Sequence, residues 1–201
     1  LFDLQDVGTR FYTYVSTLHY MMEACASLNI PLVLLDRPNP NGHYVDGPIL
    51  DMRNRSVVGM HPVPIVHGMT LGEFANMING EGWLKNKKKC NITVIPISNY
   101  DRKTPYQLPI KPSPNLPNQK AINLYPSLCL FEGTNVSVGR GTQTQFQVFG
   151  SPYFEPKKYT YRFTPKPNLG AKNPKHKGQI CYGENLKTVT FLNEIQLSWL
   201  I

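Results

Sequence analysis

Four short polar clusters of this 201-residue sequence carry the residue types that acid–base chemistry and sugar binding use. Each follows a predicted strand end or lies in a predicted loop: Gln5-Asp-Val-Gly8 with Arg10, Tyr12 and Tyr14; Asp36-Arg-Pro-Asn-Pro40; His67-Gly-Met-Thr70; and Glu132-Gly-Thr-Asn-Val-Ser-Val-Gly-Arg-Gly-Thr142. Residues just beyond the carboxyl ends of parallel strands converge on one crevice. We therefore expect these groups to surround a polyhydroxylated, anionic ligand such as an acidic sugar.

Each cluster also has a structural interpretation, which the sequence alone leaves open. Asp6 and Asp36 could fix turns through their side-chain oxygens, and His67 could bond only to backbone groups. Glu132 could be a purely structural partner of Arg140. The glycines of the fourth cluster fit either view, because they supply positive φ or allow close backbone approach.

Familiar motifs of other enzyme classes are missing from the sequence. It contains no GxxxxGK phosphate loop, no HExxH zinc motif and no GxSxG nucleophile elbow. Gly139-Arg-Gly141 matches the start of a GxGxxG dinucleotide motif, but Thr144 breaks the pattern. The four cysteines have no CxxC spacing and no paired histidine, so we expect no zinc site or other metal site.

Composition and charge narrow the class of protein. Hydrophobic residues make up 41% of the sequence, and no apolar run approaches the roughly 20 residues of a membrane span, so we expect no integral membrane segment. The net charge is +8, and the stretch between Glu155 and Glu184 holds seven Lys or Arg and no acid. Such a surface attracts polyanions or simply maintains solubility. No aromatic-interleaved RNA motif accompanies it, so we expect no nucleic-acid partner.

The first part of the chain has the pattern of parallel α/β structure. A buried strand is predicted to end near Gln5, and apolar residues at helical spacing follow from Val15 to Cys25. Residues 31–35 form a short apolar run typical of a parallel strand buried on both faces. Thr70 and Glu73 form a capping box for a helix over 71–79, and another strand is predicted over 92–95.

The second part is predicted to be a smaller α/β region. A Pro-rich stretch over 105–117 leads into it, a strand is predicted over 159–163 and a helix over 189–201. A boundary near 145–156 divides the chain into domains 1–150 and 151–201. The sequence opens without an initiator Met and closes in an uncapped helical pattern, so we expect an internal piece of a longer protein.

Five ordered blocks of the sequence resemble the NamZ family, the bacterial exo-acting β-N-acetylmuramidases of peptidoglycan recycling. The blocks are Gln5-Asp-Val-Gly-Thr-Arg-Phe-Tyr-Thr-Tyr14, Asp36-Arg-Pro-Asn-Pro40, His67-Gly-Met-Thr70, Pro112-Ser-Pro-Asn115 and the cluster from Glu132 to Thr142. The resemblance implies a Rossmann-like α/β domain, here incomplete at its N-terminus, followed by a smaller α/β domain, with the active site in the cleft between them. It also implies peptidoglycan-derived saccharides as substrates, no cofactor, and export to the periplasm or the cell surface.

The resemblance also suggests roles for individual residues. Family members carry a Pro-Glu-His-Gly segment upstream of the first block, and its Glu is a leading catalytic candidate. This sequence starts after that point, so we expect the principal acid to lie upstream. Glycosidic hydrolysis normally takes two carboxyl groups; the candidates present here are Asp6, Asp36 and Glu132, with His67 as a helper.

Substrate contacts are expected from the other polar residues of the blocks: Arg10, Tyr12, Arg37, Asn39, Ser113, Asn115, Asn135, Arg140 and Thr142. Arg140 or Arg10 is expected to pair with the lactyl carboxylate of muramic acid, because a guanidinium fork matches a carboxylate. A non-catalytic peptidoglycan-binding module is the alternative function.

Overall fold

A computed structural model describes residues 1–104 and 106–201, and its chain forms two compact units, Leu1–Tyr106 and Gln107–Ile201. Pro105, where the predicted Pro-rich stretch begins, lies outside the described residues. No helix in the described part of the chain is long and apolar enough to cross a membrane. Each unit has its own sheet.

The first unit is a parallel α/β structure, as predicted. It contains α1 (Tyr14–Leu28), β1 (Leu32–Leu35), α2 (Leu71–Gly80) and β2 (Ile92–Ile95), with short 3-10 helices at Met52–Asn54 and Lys85–Lys87. Strands β1 and β2 pair in parallel, with Leu32 opposite Ile92. Phe2 adds a single parallel bridge to Leu34 on the other side of β1. The strand predicted to end near Gln5 is reduced to this single bridge, and β1, α2 and β2 form one complete strand–helix–strand unit.

The core of the first unit lies where α1 and α2 meet the sheet. Leu18 and Met22 of α1 are fully buried together with Phe74 of α2, and all three belong to one apolar cluster that includes Leu34. The helical spacing predicted from Val15 to Cys25 is thus confirmed, and Cys25 lies in the same core.

Strand β1 differs from the prediction in its burial. The short apolar run indicated a strand buried on both faces, but Leu32 and Leu34 are buried whereas Val33 is 36% exposed. The apolar side chains of α1 and α2 cluster with Leu32 and Leu34. Within the described residues, the face that carries Val33 lacks such a cover, so the strand is buried on one face.

The second unit contains a helix and an antiparallel sheet. Helix α3 (Gln119–Leu128) continues into a 3-10 helix at Cys129–Gly133, and strands β3 (Val148–Ser151), β4 (Tyr161–Phe163) and β5 (Cys181–Asn185) follow. The strand order is β3-β5-β4. The predicted boundary at residue 150 falls inside β3, and a domain of 151–201 would separate β3 from its partner β5. The observed units divide at 106 and 107 instead.

The predicted helix over 189–201 is wrong, because this segment is irregular and ends in a turn. Side chains of α3 satisfy its backbone in place of helical hydrogen bonds. The Asn123 side chain donates to the carbonyl of Leu192 and accepts from its N–H at 2.9 and 2.8 Å, and Ser127 Oγ accepts from the N–H of Gln196. Only one of the large apolar side chains in this segment becomes buried: Leu192 is 8% exposed, whereas Phe191 and Leu197 are about half exposed.

Candidate functional site

Asp6 lies in the loop before α1 and is buried. Its Oδ2 accepts a 2.6 Å hydrogen bond from the N–H of Gly8, while Oδ1 is buried and has no hydrogen-bond partner among the described residues. Loss of hydration on burial disfavours a charged carboxylate, and this raises the pKa of Asp6 to about 7. Asp6 can therefore hold or release a proton near neutral pH.

His67 faces Asp6 across 3.8 Å, measured from Nε2 to Oδ2. Its Nδ1 accepts from the N–H of Met69 at 3.2 Å, which places the proton of the neutral ring on Nε2, toward Asp6. The ring packs edge-on against Phe74 and is buried, and this burial lowers the pKa of His67 to about 3. A neutral imidazole therefore presents its N–H to a carboxyl group of neutral-range pKa.

Asn39 joins the Asp6 and His67 loops. Its Nδ2 donates to the carbonyl of Met69 at 2.9 Å, and its Oδ1 accepts from the N–H of Asn41 at 2.9 Å. Gly8 has a φ of +74°, and a Cβ at this position would lie 2.2 Å from Oδ1 of Asn39. The glycine of the first block is therefore required both for its backbone angle and for the close approach of Asn39.

Asp36 has a structural role at the N-terminus of α2. Its Oδ2 accepts from Thr70 Oγ1 at 2.7 Å, and its Oδ1 accepts from the N–H of Gly72 and of Arg37 at 2.8 and 3.0 Å. The predicted capping box between Thr70 and Glu73 is confirmed beside it. These contacts tie the end of β1 to the start of α2 and form one wall of a cavity of about 480 Å³.

The other predicted residues of the first unit bind or pack against neighbouring groups of the same unit. Arg10 Nη1 donates to the carbonyls of Pro48 and Val63, so it braces the long loop after β1. Arg37 Nε lies 2.6 Å from Oδ1 of Asp3 in a partly exposed ion pair. Tyr12 packs edge-on against Tyr14 with ring centroids 5.1 Å apart.

Glu132 and Arg140 form an ion pair in the second unit, as their structural interpretation predicted. Arg140 Nη2 donates to Oε2 at 3.2 Å, and Nε lies 2.8 Å from Oε1 but is too poorly aligned for a hydrogen bond. The guanidinium also lies over the ring of Phe146, 5.5 Å from its centroid. Both charged side chains are about one-third exposed and line a cavity of about 190 Å³ with Ser137 and Lys175.

Thr142 and Asn135 shape the loop between Glu132 and β3. Thr142 Oγ1 donates to the carbonyl of Gly139 and accepts from the N–H of Thr144. Asn135 offers its backbone carbonyl to Ser151 Oγ at 3.1 Å. The hydrogen bonds of both residues therefore stabilise the conformation of the loop.

The block around residues 112–115 is built on hydrogen bonds of its own. Ser113 Oγ accepts from the N–H of Asn115, and Asn115 Nδ2 donates to the carbonyl of Gly170 at 2.8 Å. Asn115 Oδ1 is buried and has no hydrogen-bond partner among the residues described.

The structure thus brings the predicted residues together in two groups. Asp6, Asn39 and His67 gather in the first unit, and Glu132 pairs with Arg140 in the second. Two residues beside these groups were missed by the sequence analysis. Tyr100 exchanges hydrogen bonds with the backbone of Asn39 at 3.1 and 3.2 Å, and Lys175 contacts the loop that carries Glu132. The sequence holds no local signal for either contact.

Comparisons with known proteins cover nearly the whole chain. The family model described as "Exo-beta-N-acetylmuramidase NamZ, N-terminal" matches residues 1–120, and the corresponding C-terminal model matches residues 123–198. The peptidoglycan β-N-acetylmuramidase NamZ of Bacillus subtilis (strain 168) is 39% identical over 206 residues, covering 92% of this chain and 47% of that protein.

Two crystal structures of DUF1343 family proteins from Bacteroides fragilis NCTC 9343 are similar to this chain. The first has a TM-score of 0.95 and is 56% identical, and the match covers 98% of this chain and 57% of that protein. The second has a TM-score of 0.80 and is 29% identical, and the match covers 91% of this chain and 51% of that protein. The chain spans about half the length of the relatives it matches. With both family models matched in order along it, this chain belongs to the NamZ family of exo-β-N-acetylmuramidases.

Proposed function

We propose that the protein carrying this chain is a glycoside hydrolase that releases N-acetylmuramic acid from the non-reducing end of peptidoglycan fragments. The observation that carries this proposal is family membership along both matched segments, 1–120 and 123–198. The Bacillus subtilis relative is named a peptidoglycan β-N-acetylmuramidase.

Asp6 and His67 are the proposed proton-handling groups of this chain. Glycosidases use one carboxyl group as a proton donor and another as a base or a nucleophile. Asp6 has a pKa of about 7, so it exists in both protonation states at neutral pH. The N–H of His67 points toward it from 3.8 Å, and a water or a sugar hydroxyl could accept from His67 and donate to Asp6.

Glu132 and Arg140 are the proposed groups that recognise the acidic sugar. In the structure, the guanidinium of Arg140 pairs with the Glu132 carboxylate, and both side chains line a cavity. The lactyl carboxylate of muramic acid has the same chemistry as the Glu132 side chain, so it is a suitable alternative partner for Arg140. N-acetylglucosamine lacks this carboxylate, so Arg140 would discriminate between the two sugars.

The remaining candidates have supporting roles in this proposal. Asp36 binds the start of α2 and lines the cavity of about 480 Å³. Because its carboxylate already accepts three hydrogen bonds, we assign it a structural role and not a catalytic one. The polar residues proposed to contact sugar hydroxyls or amides around these groups are Arg10, Tyr12, Arg37, Asn39, Ser113, Asn115, Asn135 and Thr142.

The proposal also includes a Rossmann-like topology for the first unit and an exported location for the protein. The parallel strand–helix–strand unit β1-α2-β2, with the parallel bridge from Phe2 on the other side of β1, supports a Rossmann-like sheet for the first unit. We place the protein in the periplasm or at the cell surface, where peptidoglycan lies. Fractionation of cells that express the complete gene, followed by immunodetection, tests this location.

A replacement series in the full-length protein tests the proposed function. The wild type should hydrolyse a chromogenic β-N-acetylmuraminide, and Asp6→Asn should lower kcat by about a hundredfold or more, as loss of general acid–base catalysis does. Arg140→Ala should reduce the preference for the muraminide over the matching glucosaminide, and Lys89→Ala, which removes a positive charge from an exposed position, serves as the control. Unchanged turnover in Asp6→Asn, Asp36→Asn and Glu132→Gln would remove these carboxylates from the proposal.

Tight binding of fragments without any turnover by the wild type would favour the non-catalytic binding module instead.

A further inference from the structure

The side chain of Lys175 ends in a ring of backbone oxygens in the second unit. Its Nζ contacts the carbonyls of Phe131, Glu132, Thr134 and Val136; the first, second and fourth distances are 3.5, 3.3 and 3.2 Å. We call these four carbonyls the carbonyl cradle. An ammonium group has three N–H donors and no acceptor, so a ring of oxygens is the environment that it matches.

The carbonyl cradle lies at the end of a helical segment. Helix α3 continues into the 3-10 helix Cys129–Gly133, and the last carbonyls of a helix lack partners within it. Phe131 and Glu132 belong to this segment, and the carbonyl of Phe131 also accepts from the N–H and Oγ1 of Thr134 beyond its end. These groups carry partial negative charge, which a cation nearby stabilises. Lys175, about forty residues further along the chain, supplies that cation from outside the helix.

The neighbours of Lys175 reinforce the same contact. His176 Nε2 lies 2.6 Å from the carbonyl oxygen of Asn135, and His176 has a left-handed backbone with a φ of 56°. This conformation costs free energy in a residue other than glycine and persists where surrounding contacts impose it. Pro174 packs so closely on Gly141 that a Cβ on that glycine would lie 2.7 Å away. Residues 174–176 therefore contact both ends of the loop over 132–142.

We propose that Lys175 is a positioning residue that fixes the Glu132–Arg140 pair by filling the carbonyl cradle; the catalytic consequence rests on the proposed function. The backbone of Glu132 belongs to the cradle, its side chain pairs with Arg140, and Lys175 and Arg140 line the same cavity. Without the ammonium, the carbonyls repel one another and the backbone under Glu132 relaxes. The guanidinium then loses its fixed orientation toward a substrate carboxylate.

Lys175→Met in the full-length protein tests the effect on recognition. It retains most of the length of the side chain and removes the charge, and Lys177→Met removes the same charge from an exposed position two residues away. We expect Lys175→Met to lower kcat/KM for a chromogenic muraminide by about tenfold or more, mainly through KM, and to reduce its preference over the glucosaminide. Lys177→Met should match the wild type. A Lys175→Met variant with unchanged preference would overturn the proposal.

Lys175→Ala with added amine tests the cradle itself. The substitution removes a propylammonium fragment, so n-propylammonium should restore both the melting temperature and the substrate preference toward wild-type values. Propyltrimethylammonium carries the charge without an N–H donor and should restore neither. Equal effects of the two cations, or no effect of propylammonium on the melting temperature, would contradict the carbonyl cradle. The melting temperature keeps this test valid if the wild type proves to have no muramidase activity, which would count against the proposed function alone.

Discussion

Nε2 of His67 lies 3.8 Å from Oδ2 of Asp6, and both side chains are almost completely buried. The N–H of Met69 fixes the imidazole tautomer, and the N–H of Gly8 holds one carboxyl oxygen. The other carboxyl oxygen and the imidazole N–H lack hydrogen-bond partners within the described residues. Buried polar atoms without partners are costly in a folded protein, and they are typical of sites that bind a ligand or water.

The stability of the protein should depend on pH through Asp6. The pKa of Asp6 is about 7 in the folded protein and near 4 in the unfolded chain. Between these values only the unfolded chain releases the proton, so the contribution of Asp6 to stability decreases as pH rises from 4 to 7 and is constant above. Asp6→Asn retains an acceptor for Gly8 and cannot ionise, so its stability relative to the wild type should increase over this range.

Urea denaturation of wild type and Asp6→Asn at intervals from pH 4 to pH 8 measures this difference. A difference in unfolding free energy that stays constant across the series would show that Asp6 ionises normally.

Gly8→Ala should strongly destabilise the protein. The new Cβ would meet the Asn39 amide at 2.2 Å, and φ at this position is +74°. We expect a loss of about 3 kcal/mol from backbone strain and overpacking together. Gly80→Ala is the matched control, because Gly80 ends α2 with no heavy atom near its Cβ position, and it should stabilise the protein by up to about 1 kcal/mol.

Denaturant midpoints of both glycine variants test this pair. If Gly8→Ala unfolds at the wild-type midpoint, Asn39 does not pack against Gly8 as described.

Asp36→Ala should lower the stability of the folded protein. It leaves the hydroxyl of Thr70 and the N–H of Gly72 without their acceptor at the start of α2, and we expect a loss of about 2 kcal/mol. Asp51→Ala removes a carboxylate that caps the exposed 3-10 helix Met52–Asn54, and its effect should be much smaller. Thermal unfolding followed by circular dichroism compares the two. Equal losses would indicate that Asp36 does not hold α2.

Local signals in the sequence were sufficient for much of the first unit. The spacing from Val15 to Cys25 predicted α1, and the pair Thr70 and Glu73 predicted the start of α2. These signals act between residues three or four apart, so they are readable without a fold. The predicted loop positions of Asp6 and His67 are confirmed, whereas Glu132 lies in the 3-10 helix Cys129–Gly133 and not in a loop.

Long-range contacts account for what the sequence did not reveal. The segment over 189–201 has helical spacing, yet Asn123 and Ser127, about 69 residues earlier, bind its backbone in an irregular conformation. The sequence pattern suggests a catalytic or turn role for Asp36, but its carboxylate binds Thr70 and Gly72 at the start of α2, 34 and 36 residues away. The four carbonyls that Lys175 contacts lie 39 to 44 residues before it in the sequence, and no local pattern predicts these contacts.

The most direct test of the proposed function is the identity of the released product. The full-length protein is incubated with two peptidoglycan fragments that differ only in their non-reducing terminal sugar, and the products are separated by liquid chromatography with mass detection. We expect free N-acetylmuramic acid to appear only from the fragment that ends in this sugar, which becomes shorter by one residue. Internal cleavage, release of terminal N-acetylglucosamine, or no release from either fragment would contradict it.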